Sequence, residues 1–326
     1  MGPQAPNPVT NRIESLHLSR SSIGMGEGFN ILINRKSGTV LNMGEPAVEA
    51  AITASDIPVA ELCMSEPEDM QANLERLSKR PERLLIGGGD GTIRETAKYL
   101  ASHKKAFGVL PFGTMNLLAV DLGFTSLQQA LDAYAKGTCE ERMDAGFVNG
   151  EIFLCCASIG TMPQASVYRE ANRMTNKILL LPQMFFFVAD NMGKHRRERI
   201  VVEAEGKMTK YRTPAVVVSA NRFADSEKLT ESNFKRVSLS GGELAAYIFS
   251  TKSPTAHIRL LWRLIFGHWL HDPDLIERTG TRFKIWSQHH KPLVSIDGEV
   301  MKLKSPLEFT LKADFVHLLM PVSETK

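Results

Sequence analysis

Residues 84 to 92, Leu-Leu-Ile-Gly-Gly-Gly-Asp-Gly-Thr, end an apolar run in four glycines set around one carboxylate. Gly87, Gly88, Gly89 and Gly91 allow positive φ and leave no Cβ in the way, so backbone N–H groups there can close on a triphosphate. Asp90 is the odd member, because a carboxylate beside phosphates repels them. It can hold Mg²⁺ through water, accept a ribose hydroxyl, or organise a polar network. Thr92 can cap the helix that follows, whose positive N-terminal end favours the same anion. The segment also fits a glycine-rich strand-to-helix turn with a capping Asp and no ligand.

A second turn of this kind follows. Phe107 to Leu110 reads as a short strand ending in Pro111-Phe112-Gly113-Thr114-Met115-Asn116, with Leu117 to Leu122 continuing as helix. Upstream, Phe29 to Ile33 reads as a strand ending in Asn34-Arg35-Lys36-Ser37-Gly38. Asn34 suits a base or ribose edge, while Arg35, Lys36 and the Ser37-Gly38 backbone suit phosphate. For the two cations a solvated loop pair is the alternative. The elements that must position these turns are the three strands, with Arg83 to Ile86 as the third, and a helix opening over Ile93 to Ser102. In an open parallel sheet, adjacent loops at the carboxyl ends of strands form the ligand crevice, so all three turns are expected to face one nucleotide.

In this order and spacing the motifs resemble the diacylglycerol kinase catalytic domain family, which includes bacterial lipid kinases, sphingosine kinases and ceramide kinases. The resemblance runs from about Asn30 to Lys312. Gly-Gly-Asp-Gly-Thr stands at Gly88 to Thr92, Asn-Pro-x-Ser-Gly at Asn34 to Gly38 with Arg35 in place of proline, and Pro-x-Gly-Thr-x-Asn at Pro111 to Asn116. Asp144 to Gly150 is similar to the family's strand leading into the second domain, Ser158-Ile159-Gly160 to its small-residue turn, and Ile296 to Glu299 to its Asp-Gly-Glu motif. The resemblance implies ATP and Mg²⁺ as cofactors. It implies nucleotide contacts from Asn34, Arg35, Lys36, Ser37, Gly38, Ser65, Gly88, Gly89, Asp90, Gly91, Thr92, Glu95, Gly113, Thr114 and Asn116, with Asp297 and Glu299 as the catalytic pair.

Elementary chemistry agrees on Asp297. Phosphoryl transfer to an alcohol needs a positioned carboxylate to accept the hydroxyl proton. Asp297-Gly298 after the strand Leu293 to Ile296 offers one at a tight turn, with Glu299 two residues on and able to touch nucleotide or metal. Asp-Gly between strands is also the commonest hairpin signal, and both readings can hold together.

The sequence departs from the family in four places. Arg35 replaces a proline, and Leu117 stands where an Asp usually follows Asn116, which removes one polar contact near the nucleotide pocket. Gly241-Gly242-Glu243-Leu244-Ala245 lacks both aspartates of the family's structural Mg²⁺ stretch, so no metal site is expected on the second domain and Mg²⁺ is expected to enter with ATP. Ala220-Asn221-Arg222-Phe223 replaces a glycine-rich segment and changes the local substrate wall.

Composition sets the frame. With 326 residues the chain predicts two domains, and 43% hydrophobic with 23% charged residues is ordinary for a globular protein. A net charge of only +3 excludes a strong general field for nucleic acid. Cys63, Cys139, Cys155 and Cys156 show neither metal spacing nor a disulfide framework and read as buried free thiols of a reducing compartment. His289-His290 reads as exposed rather than as a ligand pair.

Residues 1–26 read as a polar, flexible tail without a signal sequence, and Pro6 stands where a myristoylation signal needs Ser or Thr. The longest apolar stretch, Ile178 to Val188, is too short to span a bilayer. It is followed by Lys194 to Arg199, and an apolar wedge beside basic residues suits a peripheral contact with an anionic surface. His257 to His271 is a second candidate, for which core packing is the alternative. The expected setting is cytoplasmic, peripheral at the inner membrane face.

Strands and helices alternate over 27–143, which predicts a Rossmann-like parallel α/β domain for ATP. Short β-branched runs dominate 144–314 and predict an all-β antiparallel sandwich as the lipid-substrate domain. The resemblance implies that residues 315–326 return to the first domain and that catalysis lies in the cleft. Strand-edge pairing between nucleotide domains offers a route to a homodimer. Three functions remain open: a lipid kinase acting on diacylglycerol, a long-chain base or another lipid alcohol; a soluble kinase of the NAD kinase type; and a nucleotide or lipid sensor with weak turnover.

Overall fold

A computed structural model describes residues 26–161, 163, 198–204, 206–225, 234–250, 255–256, 259–260, 262–263 and 268–322. The wedge at Ile178 to Val188, the basic cluster at 194–197 and most of the predicted tail lie outside these residues.

The first half alternates as its sequence predicts: β1 (Gly26–Asn34), α1 (Gly38–Met43), α2 (Glu45–Thr53), β2 (Val59–Ser65), α3 (Met70–Ser78), β3 (Glu82–Gly88), α4 (Asp90–His103), β4 (Phe107–Pro111), α5 (Leu117–Asp121) and α6 (Leu127–Ala135). Strands β2, β1, β3 and β4 lie side by side in that order, all parallel. Their central residues, among them Ile31, Leu32, Leu85, Ile86 and Leu110, are fully buried, as expected of strands covered on both faces.

The second half is strand-rich: β5 (Thr138–Val148), β6 (Glu151–Phe153), β7 (Cys156–Gly160), β8 (Glu198–Ala204), β9 (Lys207–Thr213), β10 (Ala215–Ala220), β11 (Leu244–Phe249), β12 (Leu275–Gly280), β13 (Arg282–Ser287), β14 (Leu293–Ile296), β15 (Glu299–Lys302) and β16 (Leu307–Pro321). One antiparallel sheet runs β12-β11-β10-β7-β14-β15. The sheet facing it is not separate from the first half. The first portion of β16 pairs with β13 over Leu307 to Thr310, and its last portion reaches β4 at Leu318. One sheet of ten strands therefore serves as the parallel platform at one end and as half of the sandwich at the other.

Alternation along β10 explains the two cores of the second half. Val216, Val218 and Ala220 face the sandwich interior with Phe283, Ile285 and Phe309. Ala215 and Val217 face outward and are covered by Phe223, Leu260 and Trp269. This second cluster absorbs part of the His257 to His271 stretch, since Leu260 and Trp269 are buried, while Trp262 is 60% exposed. No helix among the described residues is long and apolar enough to cross a membrane.

Candidate functional site

The carboxyl ends of β1, β3 and β4 lie next to one another, so the turns Asn34 to Gly38, Gly88 to Thr92 and Pro111 to Asn116 share one edge of the parallel sheet. The two glycine turns touch. A Cβ at Gly113 would stand 2.7 Å from the Gly89 Cα, so this approach requires glycine. Helix α4 begins at Asp90, three residues before the predicted start, because Gly89 is extended (φ −79°, ψ 175°) and the chain turns helical directly after it. Thr92 does not cap it. Its hydroxyl lies inside the first turn and accepts from Asn34 Nδ2 at 3.1 Å, and no side chain caps this N-terminus.

Asp90 organises a polar network. Its Oδ2 accepts the Asn116 N–H at 3.1 Å and its Oδ1 the Leu117 N–H at 2.6 Å. Asn116, in the left-handed region at φ 52°, accepts the Gly113 N–H on Oδ1 at 2.6 Å. Leu117 turns its side chain into the outer apolar cluster.

In the first turn Asn34 uses both ends of its amide inside the protein, since Oδ1 also accepts the Lys36 N–H at 2.9 Å. Arg35 faces Glu45 at 3.3 Å and Glu66 at 3.6 Å, and Lys36 faces Glu66 at 3.6 Å, the arrangement of a solvated loop pair. Ser37 is 6% exposed and its Oγ has no hydrogen-bond partner. Ser65 is buried at the end of β2, with its hydroxyl donating to the Glu66 carbonyl and accepting from Asn73. Thr114 and Glu95 are exposed, and Glu95 lies 3.4 Å from Arg94. An orphaned serine hydroxyl, glycines that admit no side chain and an uncapped 14-residue helix form a cradle that fits phosphate oxygens.

Asp297 arrives from the other half of the chain. Ile296 pairs with Glu299 across the hairpin of β14 and β15, and Asp297 and Gly298 both take positive φ (47° and 91°), as a tight two-residue turn requires. The Asp297 side chain points back onto the β6–β7 turn. Its oxygens accept the backbone N–H groups of Leu154, Cys155 and Cys156 at 2.7, 2.9 and 3.0 Å, and the residue is 4% exposed. Burial pushes its carboxyl above the usual 3.8, against the three N–H groups and the nearby Arg94 guanidinium, which lower it.

Two buried arginines join these parts, and neither was read from the sequence as a site residue. Arg94 Nη2 meets Glu299 Oε2 at 2.6 Å and its Nη1 donates to the Ile296 carbonyl at 3.1 Å. The Glu299 carboxylate thereby lies over the first turn of α4, where a Cβ on Gly91 would collide with it. Arg236 pairs with Asp121 at 2.7 Å, both side chains buried, and donates to the carbonyls of Leu154 and Ala220 at 2.5 and 3.0 Å. The signal for Arg94 was its position three residues before Ala97, on the buried face of α4. For Arg236 there was none.

The thiols divide. Cys155 is buried and pushed well up in pKa by its hydrogen bond with Cys156 and by burial, whereas Cys139 is exposed, so the expectation of uniformly buried thiols fails at a strand end. His289 and His290 are exposed, as expected.

Residues 29–148 match the family described as diacylglycerol kinase catalytic domain. Over 88 residues the chain is 33% identical to a protein named diacylglycerol kinase from Staphylococcus carnosus, which is 26% of this chain and 28% of that one. Over 123 residues it is 35% identical to a Pseudomonas aeruginosa protein named "Probable lipid kinase YegS-like", which is 36% of this chain and 40% of that one. The matched stretches thus span less than half of either relative. The crystal structure of a diacylglycerol kinase from Bacillus anthracis shares the fold, with a TM-score of 0.59 and 16% identity over 90% of this chain and 96% of that one.

Proposed function

We propose that this chain, whose residues 29–148 match the diacylglycerol kinase catalytic domain family, transfers the γ-phosphate of ATP to the hydroxyl of a lipid at a membrane surface. The observation that carries this reading is the meeting of α4 with the Asp297 hairpin. A helix that begins at the glycine turn holds, through Arg94, the tight turn that carries Asp297 from the second half of the chain.

In this reading the three turns gather the triphosphate with backbone N–H groups and the Ser37 hydroxyl. Mg²⁺ entering with the nucleotide would supply charge neutralisation at the phosphate oxygens. Asp297 receives the lipid hydroxyl proton, and its raised pKa makes it a better acceptor than an ordinary carboxylate. The acceptor is read as apolar because the outer aromatic cluster, with Phe223, Tyr247 and Trp269, extends to half-buried Met115 of the second glycine turn and Cys156 of the Asp297 cradle. Exposed Trp262 supports contact with a membrane interface.

The test is transfer of labelled γ-phosphate from ATP with Mg²⁺ into the organic phase of a total lipid extract in mixed micelles, beside Asp297→Asn. Labelled lipid that is lost in the variant supports the reading, and its mobility begins to name the acceptor. Label that reaches only NAD would replace it with a soluble kinase. A third reading, a nucleotide sensor with weak turnover, is favoured by one observation: three backbone N–H groups already occupy the Asp297 oxygens. ATP binding without any transfer would establish it.

A further inference from the structure

Arg94 lies on the buried face of α4 with its side chain 7% exposed, one turn from the glycine loop that opens the helix. Burying a guanidinium is costly unless every face of it is answered, and here, besides Glu95 at 3.4 Å on the same helix, the partners come from one hairpin. Nη1 takes the carbonyl of Ile296, the last residue of β14, and Nη2 takes the carboxylate of Glu299, the first residue of β15. One planar fork grips both strands of the hairpin on either side of Asp297-Gly298, a double contact that a lysine ammonium cannot reproduce. The Asp297 carboxylate faces the other way, into the N–H groups of residues 154–156. The hairpin is thus held on two sides, by the β6–β7 turn and by Arg94.

We propose that Arg94 is a positioning residue for phosphoryl transfer, fixing the Asp297 turn at a set height over the glycine loop through Ile296 and Glu299. The assignment rests on the kinase reading above. It differs from a merely structural role because the same fork orients the Glu299 carboxylate over Gly91, at the edge of the phosphate cradle.

The experiment compares wild type, Arg94→Lys, Arg94→Gln, Glu299→Gln and the double variant Arg94→Gln/Glu299→Gln in the labelled-lipid assay. Rates are normalised to folded protein by circular dichroism. Arg94→Gln is expected to lower kcat about 100-fold, the scale of a misplaced reacting group. KM for ATP is expected to stay within about 3-fold, since no ground-state contact with nucleotide is removed. Arg94→Lys, keeping the charge and one contact, recovers part of the rate. The double variant is no slower than Arg94→Gln, because the two residues act as one unit. Should Arg94→Gln not fold, Glu299→Gln, altered at a half-exposed side chain, carries the same expectation of lost kcat with KM retained. Wild-type kcat in Arg94→Gln, a loss confined to KM, or losses that multiply in the double variant would overturn the assignment and leave the kinase reading standing. A wild type that labels no lipid overturns that reading, and the assignment with it.

Discussion

Asp90 accepts the backbone N–H of Leu117 at 2.6 Å, so a carboxylate from the first glycine turn caps the helix that begins at the second. The Asn116 N–H joins the same carboxylate. This explains an acidic residue among the glycines of the loop: its charge is directed to the positive end of α5. It also explains how the chain tolerates leucine at position 117, where the family has an Asp. The main chain supplies the contact, and the side chain packs with Cys155 and Tyr247.

Asp90→Asn leaves one oxygen for two N–H donors and turns an amide toward the other. Such an orphaned donor costs about 1 to 3 kcal/mol, so the urea midpoint falls. ATP affinity falls with it, because Gly89 and Gly113 lose the tie that keeps them in contact. Urea unfolding and a nucleotide titration check both; unchanged affinity would show that the turns hold their approach without Asp90.

Gly91→Ala tests whether Glu299 must stay with Arg94. Gly91 lies in the first turn of α4 without positive φ, so alanine suits the helix and stabilises by about 0.5 to 1 kcal/mol. Its Cβ meets the far end of the Glu299 side chain, which can swing away only by leaving Arg94. Losing a partner of the buried Arg94 outweighs that gain, so the variant is expected to melt lower than wild type and to transfer phosphate about tenfold more slowly. Melting curves beside steady-state rates decide it; full activity would mean that Glu299 need not stay with Arg94.

Arg236→Met strands a buried Asp121 carboxylate and two carbonyls. Breaking a buried pair from one side costs about 3 to 5 kcal/mol. Adding Asp121→Asn removes the uncompensated charge, so the double variant regains part of that loss, a coupling visible in a double-mutant cycle of urea unfolding. Additive losses would indicate that Asp121 and Arg236 act independently despite their 2.7 Å contact.

The parallel half was legible because its signals are local. Apolar runs ending in glycine turns gave β1, β3 and β4 to within three residues at each end, and parallel pairing brought the turns together. The start of α4 was missed because Asp90 and Gly91 are weak helix formers, held here by Gly89's extended backbone and by Asp90's contacts on α5. The sequence placed the boundary of the second domain at residue 314 and expected 315–326 only to return to the first, whereas β16 runs through it from Leu307 to Pro321. A register shift between Lys312 and Val316, with Asp314 at φ 52°, interrupts the alternation of what is one strand. β13, its sandwich partner, is close in sequence, but its place in the platform depends on β4 and β5, more than 150 residues away, which no window along the chain contains. Arg94 and Arg236 escaped for a related reason: a single arginine in a helix or loop reads as solvated, and only the folded neighbours reveal it as buried.

In the proposed reading Asp297 ties the reaction to pH. Burial raises its carboxyl above 3.8, and the neighbouring N–H groups and Arg94 only partly reverse this. A general base works when ionised, so kcat/KM should rise with pH through a value above the ordinary carboxylate range. Arg94→Gln removes a cation that favours the ionised form, which moves this acid limb further up. The stability consequence has the opposite sense. With its folded pKa above its unfolded one, the protonated carboxyl stabilises the fold fully below the unfolded value, and that contribution is lost as pH rises through the folded value. Relative to Asp297→Asn, which does not titrate, the wild-type urea midpoint should therefore fall as pH goes from acid toward neutral. An acid limb at the ordinary carboxylate position, with a midpoint difference flat in pH, would mean that Asp297 is ionised throughout and that another group accepts the proton.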